Sequence, residues 1–134
     1  RAVVGRLGER AGELWRSAVH PDATVAASAR LGRGVVIAAR AVVNPDALIG
    51  DHAIINTGAI VEHECAVGEN AHVAPGSVLG GRAVVEPDAL VGIGARVMLN
   101  IRVGAQAVVG CGAVVVRDVP ARATVVGVPA RSTG

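Results

Sequence analysis

Residues 37–67 read I-A-A-R-A-V-V-N-P-D-A-L-I-G-D-H-A-I-I-N-T-G-A-I-V-E-H-E-C-A-V. Ile37, Val43, Ile49, Ile55, Val61 and Val67 stand six residues apart, and Ala41, Ala47, Ala53 and Ala59 each follow four residues after an aliphatic. Outward from this stretch the step continues through Val19, Val25 and Leu31 on one side. On the other it continues through Val73, Leu79, Val85, Val91, Val97, Val103, Val109 and Val115. That makes seventeen consecutive hexads with no insertion. Ala23, Ala29, Ala71 and Ala83 extend the small position, while Gly, Asn, Asp, Glu and Pro crowd the places between. A helical stripe of period 3.6 loses phase with a step of six over such a length. A short strand and a tight turn every six residues keep it. Three such sides close one 18-residue coil of a parallel β-helix, with the aliphatic residue inward.

Composition agrees. Of 134 residues, 51% are apolar and 18% charged, which excludes a disordered chain. Phe and Tyr are absent and Trp15 is the single aromatic, so the core is narrow and built from Val, Ile, Leu and Ala. Eighteen Gly and six Pro leave little room for long helices. The predicted organisation is an N-terminal helix and linker over 1–18, coils over 19–120 and a tail over 121–134 that covers the open coil end, with Trp15 capping the first coil. An exposed end is a sheet edge that invites unwanted pairing. Under six coils at ~4.8 Å give a prism roughly 27 Å long.

All thirteen basic residues are Arg, scattered without runs, so a nucleic-acid surface is not expected. No stretch of about 18 apolar residues and no secretory signal are visible, and the expected compartment is the cytoplasm. Cys65 and Cys111 form no zinc spacing. They lie about two and a half coils apart, roughly 12 Å, beyond the ~7 Å reach of a disulfide. Cys65 takes an inward small position and is expected to be structural. His20 and His52 are read as surface residues.

The outward neighbours of the inward aliphatics distinguish the three sides. Side one shows Val36, Ile54, Leu90 and Val108. Side two shows Val42, Ile60, Val78, Met98 and Val114. Side three shows Arg30, Arg102 and Glu86 with Leu48 and Val84. Two apolar outer faces are a patch that a monomer should not expose, so a homo-oligomer burying sides one and two is expected.

The hexads resemble the left-handed parallel β-helix of the hexapeptide acyltransferases. Handedness comes from that resemblance, because parallel crossovers are otherwise right-handed. The stretches I-I-N-T-G-A-I-V-E-H-E-C at 54–65, H-V-A-P-G-S-V-L-G-G at 72–81, G-I-G at 92–94, G-C-G at 110–112 and V-G-V-P-A-R at 126–131 are similar to the bacterial sugar O- and N-acetyltransferases. That family includes the sialic-acid O-acetyltransferases and the N-acetyltransferases of nucleotide-linked 4-amino sugars. The resemblance implies a homotrimer that transfers acetyl from acetyl-CoA to a sugar amine or hydroxyl, with no metal. Family members usually carry an N-terminal βαβ domain for the nucleotide sugar. Residues 1–14 resemble only its last helix, so the chain is expected to be a piece of a longer protein.

Such chemistry needs a base for the acceptor and donors for the thioester oxyanion. His63 sits in the corner after side two, flanked by Glu62 and Glu64, either of which could hold a ring nitrogen. The family match assigns that role to Glu64. By the same match His72 contacts the acetyl carbonyl or the acceptor, and Asn56 is the acceptor-site Asn. The corner after side one stacks Gly58, Gly76, Gly94 and Gly112. A left-handed turn explains any one of them, but four on one edge suggest a smooth groove for the pantetheine arm of coenzyme A. By resemblance the Gly81 N–H meets the thioester carbonyl, and Ile93, Gly94, Cys111 and Gly112 line the arm. The tail at 126–131 lies near the adenine.

Two other functions compete. Trimeric zinc carbonic anhydrases share the β-helix but need three converging His, and the family's close His pair is missing here. A non-catalytic assembly domain needs only the hexads; the 54–81 stretch argues against it.

Overall fold

A computed structural model describes residues 16–134. The helix expected at 1–14 and the cap expected of Trp15 fall outside the described residues. The rest is a parallel β-solenoid of about six turns. Each hexad forms a two-residue strand, outward residue first and inward residue second, followed by a four-residue corner.

The strands fall on three faces. Side one carries Ala18–Val19, Val36–Ile37, Ile54–Ile55, His72–Val73, Leu90–Val91 and Val108–Val109. Side two runs from Thr24–Val25 to Val114–Val115, and side three from Arg30–Leu31 to Arg102–Val103. Every strand pairs in parallel with the one 18 residues away, as in His72 against Ile54 and Leu90. The core is the stack of inward aliphatics and corner alanines. Ile37, Ile55, Leu79, Val61, Val73 and Val91 are fully buried, as are Ala41, Ala53, Ala59 and Ala95. Alanine is the usual residue at the inward corner position, which Val35 and Ile101 also fill. Each buried Val, Leu or Ile contributes about 1.5–3 kcal/mol. Val19, in the first coil, is 45% exposed, since described strands stack on only one side of it.

The corners share one backbone device. Every sixth residue from Gly34 to Gly112 has φ between 57° and 68°. This left-handed residue turns its N–H along the axis onto the coil before, as in Glu64 N to Pro45 O (3.0 Å), Gly76 N to Thr57 O (2.9 Å) and Arg82 N to His63 O (3.0 Å).

Three details differ from the sequence reading. Glu86, expected as an outward residue of side three, lies just past the strand Val84–Val85, whose outward residue is Val84. The outward residue beside Val97 on side two is Arg96, whereas Met98 lies just past that strand, 46% exposed. The repeat also does not stop at 120. It slips by two residues after Val115, and Val119 and Val125 then resume the inward position, buried at 4% and 5%. Val119 bridges Val103, and Thr124–Val126 adds to side one in parallel with Val108–Val109. Arg131–Ser132 then folds back antiparallel on that strand. Gly127 O and Ala130 N both bond Val114, so the tail also covers the last strand of side two.

Candidate active site

His63 stands at the corner between sides two and three, its side chain half exposed. Glu64 Oε2 lies 3.4 Å from its Nδ1. Glu62 does not share the ring: its Oε2 accepts the His63 backbone N–H at 3.3 Å. Only one of the two flanking carboxylates therefore orients the imidazole. Glu64 is held in turn by Arg82 Nη1 at 3.5 Å, and Arg82 Nε donates to Asn100 Oδ1 at 2.9 Å. These contacts climb one corner coil by coil.

Gly81 sits one coil above His63. A Cβ built on it would fall 2.6 Å from His63 Nε2 and 2.8 Å from Cε1. The ring therefore lies against the bare Cα of Gly81. Among the described residues the Gly81 N–H makes no hydrogen bond within the chain. A base candidate and an uncommitted backbone donor are thus side by side, which acyl transfer requires.

Asn56 and His72 form a second cluster on side one. Asn56 Nδ2 and His72 Nε2 are 3.0 Å apart, and Asn56 Oδ1 accepts the Thr57 N–H at 2.8 Å. Burial pushes the His72 pKa below its ordinary value. This cluster lies on side one, while His63 occupies the opposite corner of the triangle.

The glycine edge is bare. At Gly58, Gly76, Gly94 and Gly112 an added Cβ would meet nothing within 4 Å, although each has positive φ. Asp46, Glu64, Arg82 and Asn100 adopt the same φ on the next edge, so the turn alone does not demand glycine. Nothing within the chain requires the absence of side chains on this edge. Ile93, 58% exposed, and Cys111, also exposed, border it. Cys65 is buried, its thiol pushed up in pKa by desolvation and donating to Gly80 O at 3.1 Å. His20 Nδ1 accepts the Asp22 N–H (3.0 Å) and His52 is a left-handed corner residue. Among the described residues no group of three or more His, Cys, Asp or Glu is placed to hold a metal ion. None of them forms a helix long and apolar enough to cross a membrane.

Thr57, Arg82 and Asn100 carry no site role in the sequence reading, although the 18-residue step already stacks Arg82 and Asn100 above Glu64 on the corner after side two.

Residues 46–81 match the family model described as bacterial transferase hexapeptide (six repeats). The chain is a hexapeptide-repeat protein. No protein of curated function matches it significantly. The hexapeptide chain superimposes on PerB from Caulobacter crescentus, solved with CoA and GDP-perosamine. The TM-score is 0.92 at 44% identity, over 97% of this chain and 64% of that one. It also superimposes on the acetyltransferase domain of PglB from Neisseria gonorrhoeae, solved with and without acetyl coenzyme A. There the TM-score is 0.92 at 35% identity, over 98% and 66% of the two chains. AntD, an N-acyltransferase from Bacillus cereus, shares the fold at 13% identity and a TM-score of 0.80, over 87% and 79% of the two chains. The hexapeptide chain spans just under two thirds of the PerB and PglB chains. Its solenoid matches the left-handed β-helices of acetyltransferases.

Proposed function

We propose that the chain is the catalytic part of an acetyl-CoA-dependent acetyltransferase whose acceptor is the amino group of a nucleotide-linked sugar. The observation that carries this is His63, backed by Glu64 and packed against Gly81, whose N–H makes no hydrogen bond among the described residues. The likeness to PerB, solved with CoA and GDP-perosamine, supports the acceptor class.

In this reading His63 Nε2 takes the proton as the acceptor nitrogen attacks the thioester carbonyl. Glu64, at Nδ1, holds the ring with Nε2 as the acceptor and stabilises the imidazolium that forms. The Gly81 N–H donates to the oxyanion. When the carbon–sulfur bond breaks, the proton on His63 passes to the departing thiolate, leaving an amide and free coenzyme A. The coenzyme fits the residues present: the glycine edge is open where a Cβ would stand, and Ile93, Gly94, Cys111 and Gly112 line it. The reading places the chain in the cytoplasm, the compartment that supplies acetyl-CoA.

His63 and the Asn56–His72 pair lie on opposite parts of the triangle, so one chain does not assemble both around one acetyl group. A cyclic trimer burying sides one and two brings His63 of one copy to His72 of the next. The exposed Val36 and the half-buried Ile54, Leu90, Val42, Ile60 and Val78 supply the apolar contact, against Arg96 at one position.

The test is thiol release from acetyl-CoA with GDP-perosamine as the probe acceptor, together with mixed trimers of His63→Ala and His72→Ala chains. Acetylated product is expected. The mixtures are expected to recover about one site in three, because one interface keeps both histidines. Coenzyme A binding without transfer to any amino-sugar nucleotide would leave only the assembly role, and inactive mixed trimers would remove the shared site.

A further inference from the structure

The hydrogen bonds around Asn56 decide more than a contact. The Thr57 backbone N–H lies 2.8 Å from one end of the Asn56 amide. A backbone N–H only donates, so that end is the carbonyl oxygen. The other end is therefore the NH2, which has only protons to offer, and it faces His72 Nε2 at 3.0 Å. That nitrogen must accept, so its lone pair is taken and it carries no proton. A neutral imidazole then has its single proton on Nδ1.

We infer that Asn56 is a positioning residue that fixes His72 as the neutral Nδ1–H tautomer, so that His72 serves as a hydrogen-bond donor to the substrate and not as a second base. The assignment rests on the proposed acetyl transfer for its purpose but not for its geometry. Half-burial of the ring acts in the same direction, since desolvation disfavours the imidazolium. The two histidines thus divide the work. His63, half exposed beside a carboxylate, is suited to take a proton; His72, held by an amide donor, offers an N–H to a carbonyl oxygen. The amide itself is held by Thr57, so the chain of control runs Thr57, Asn56, His72.

Nitrogen-15 correlation spectra of the imidazoles in the whole labelled chain read the tautomer directly, without any assay. His72 is expected to show a protonated Nδ1 and a bare Nε2 at neutral pH. Asn56→Asp replaces the donor with an acceptor and is expected to move the proton to Nε2. Thr57→Pro deletes the N–H that orients the amide and is expected to give a mixture of tautomers. Proline is accommodated at the equivalent place one coil on, Pro75, so this second variant keeps the test alive if the aspartate variant misfolds. In turnover, His72→Asn, whose amide reaches the Nδ1 position, is expected to keep at least tenfold more kcat than His72→Gln, with KM for acetyl-CoA alike in both. A protonated Nε2 in the unaltered chain, or a tautomer unmoved in both Asn56→Asp and Thr57→Pro, would overturn the inference. The expected tautomer in a chain that transfers no acetyl group would overturn the proposed function and leave this inference standing.

Discussion

Two neighbouring edges of the same prism solve one backbone problem in opposite ways. Both place a left-handed residue at successive coils, from Arg40 to Gly112 on one edge and from Asp46 to Asn100 on the other. One edge uses Gly58, Gly76, Gly94 and Gly112, whose missing side chains would touch nothing. The other uses Glu64, Arg82 and Asn100, whose side chains bond one another up the stack. A non-glycine residue in this conformation costs roughly 1–2 kcal/mol, and the second edge bears that cost repeatedly. The difference teaches that the turn sets φ and leaves the side chain free to be chosen for another purpose: open space on one edge, a carboxylate held against His63 on the other.

The polar edge breaks most sharply at His63. His63→Ala is expected to lower kcat by about 10²–10⁴ while calorimetry shows coenzyme A binding unchanged. A variant that keeps most of the activity would remove this corner from the chemistry. Gly81→Ala probes the same ring from above. Its new Cβ meets the movable end of a side chain, so the melting temperature should hold while kcat falls by about 10²-fold, the scale of an ångström of misplacement.

The glycine edge is sharpened by a pair of substitutions. Gly112→Val and Gly94→Asn both add a side chain to the open edge, but Asn tolerates positive φ and Val does not. If the edge is a coenzyme groove, both should weaken coenzyme A by about tenfold or more, equal to ~1.4 kcal/mol, and only Val should also lower the melting temperature. Binding lost in step with stability, and spared in Gly94→Asn, would reduce the edge to turn geometry.

Smaller effects belong to the ladder. Arg82→Ala removes the contacts to Glu64 and Asn100, which are solvent-exposed, and should cost about 0–1 kcal/mol in denaturant unfolding. The smallest expected effect is on pH dependence. The His72 pKa is lowered in the folded chain from its ordinary 6.5, so its contribution is present above that value and is lost as the pH falls below it. Thermal unfolding between about pH 8 and pH 5 should show a slight decline that His72→Gln flattens.

Much of the site was legible because the repeat is also a ruler. A step of 18 residues puts Gly81 over His63 and Arg82 over Glu64, and both relations can be counted in the sequence. Which of Glu62 and Glu64 holds the ring was not countable, because both flank His63 and only the corner's φ and rotamers separate them. The Asn56–His72 bond was not countable either. The residues are 16 apart, not 18, and meet diagonally across two strands.

The sequence by itself determined the solenoid, its three faces, its inward core and the bare edge. Each follows from a hydrophobic period of six, and a periodic pattern holds its phase whatever the neighbours do. The tertiary structure alone decided the slip of two residues after Val115, which returns Val119 and Val125 to the core, and the hairpin that closes the end. It also decided which polar atoms face each other around His63 and His72. Those outcomes depend on how the last coil meets an open edge and on hydrogen bonds between side chains from different coils. Such contacts are set by the rotamers that packing selects, and no spacing in the chain encodes them.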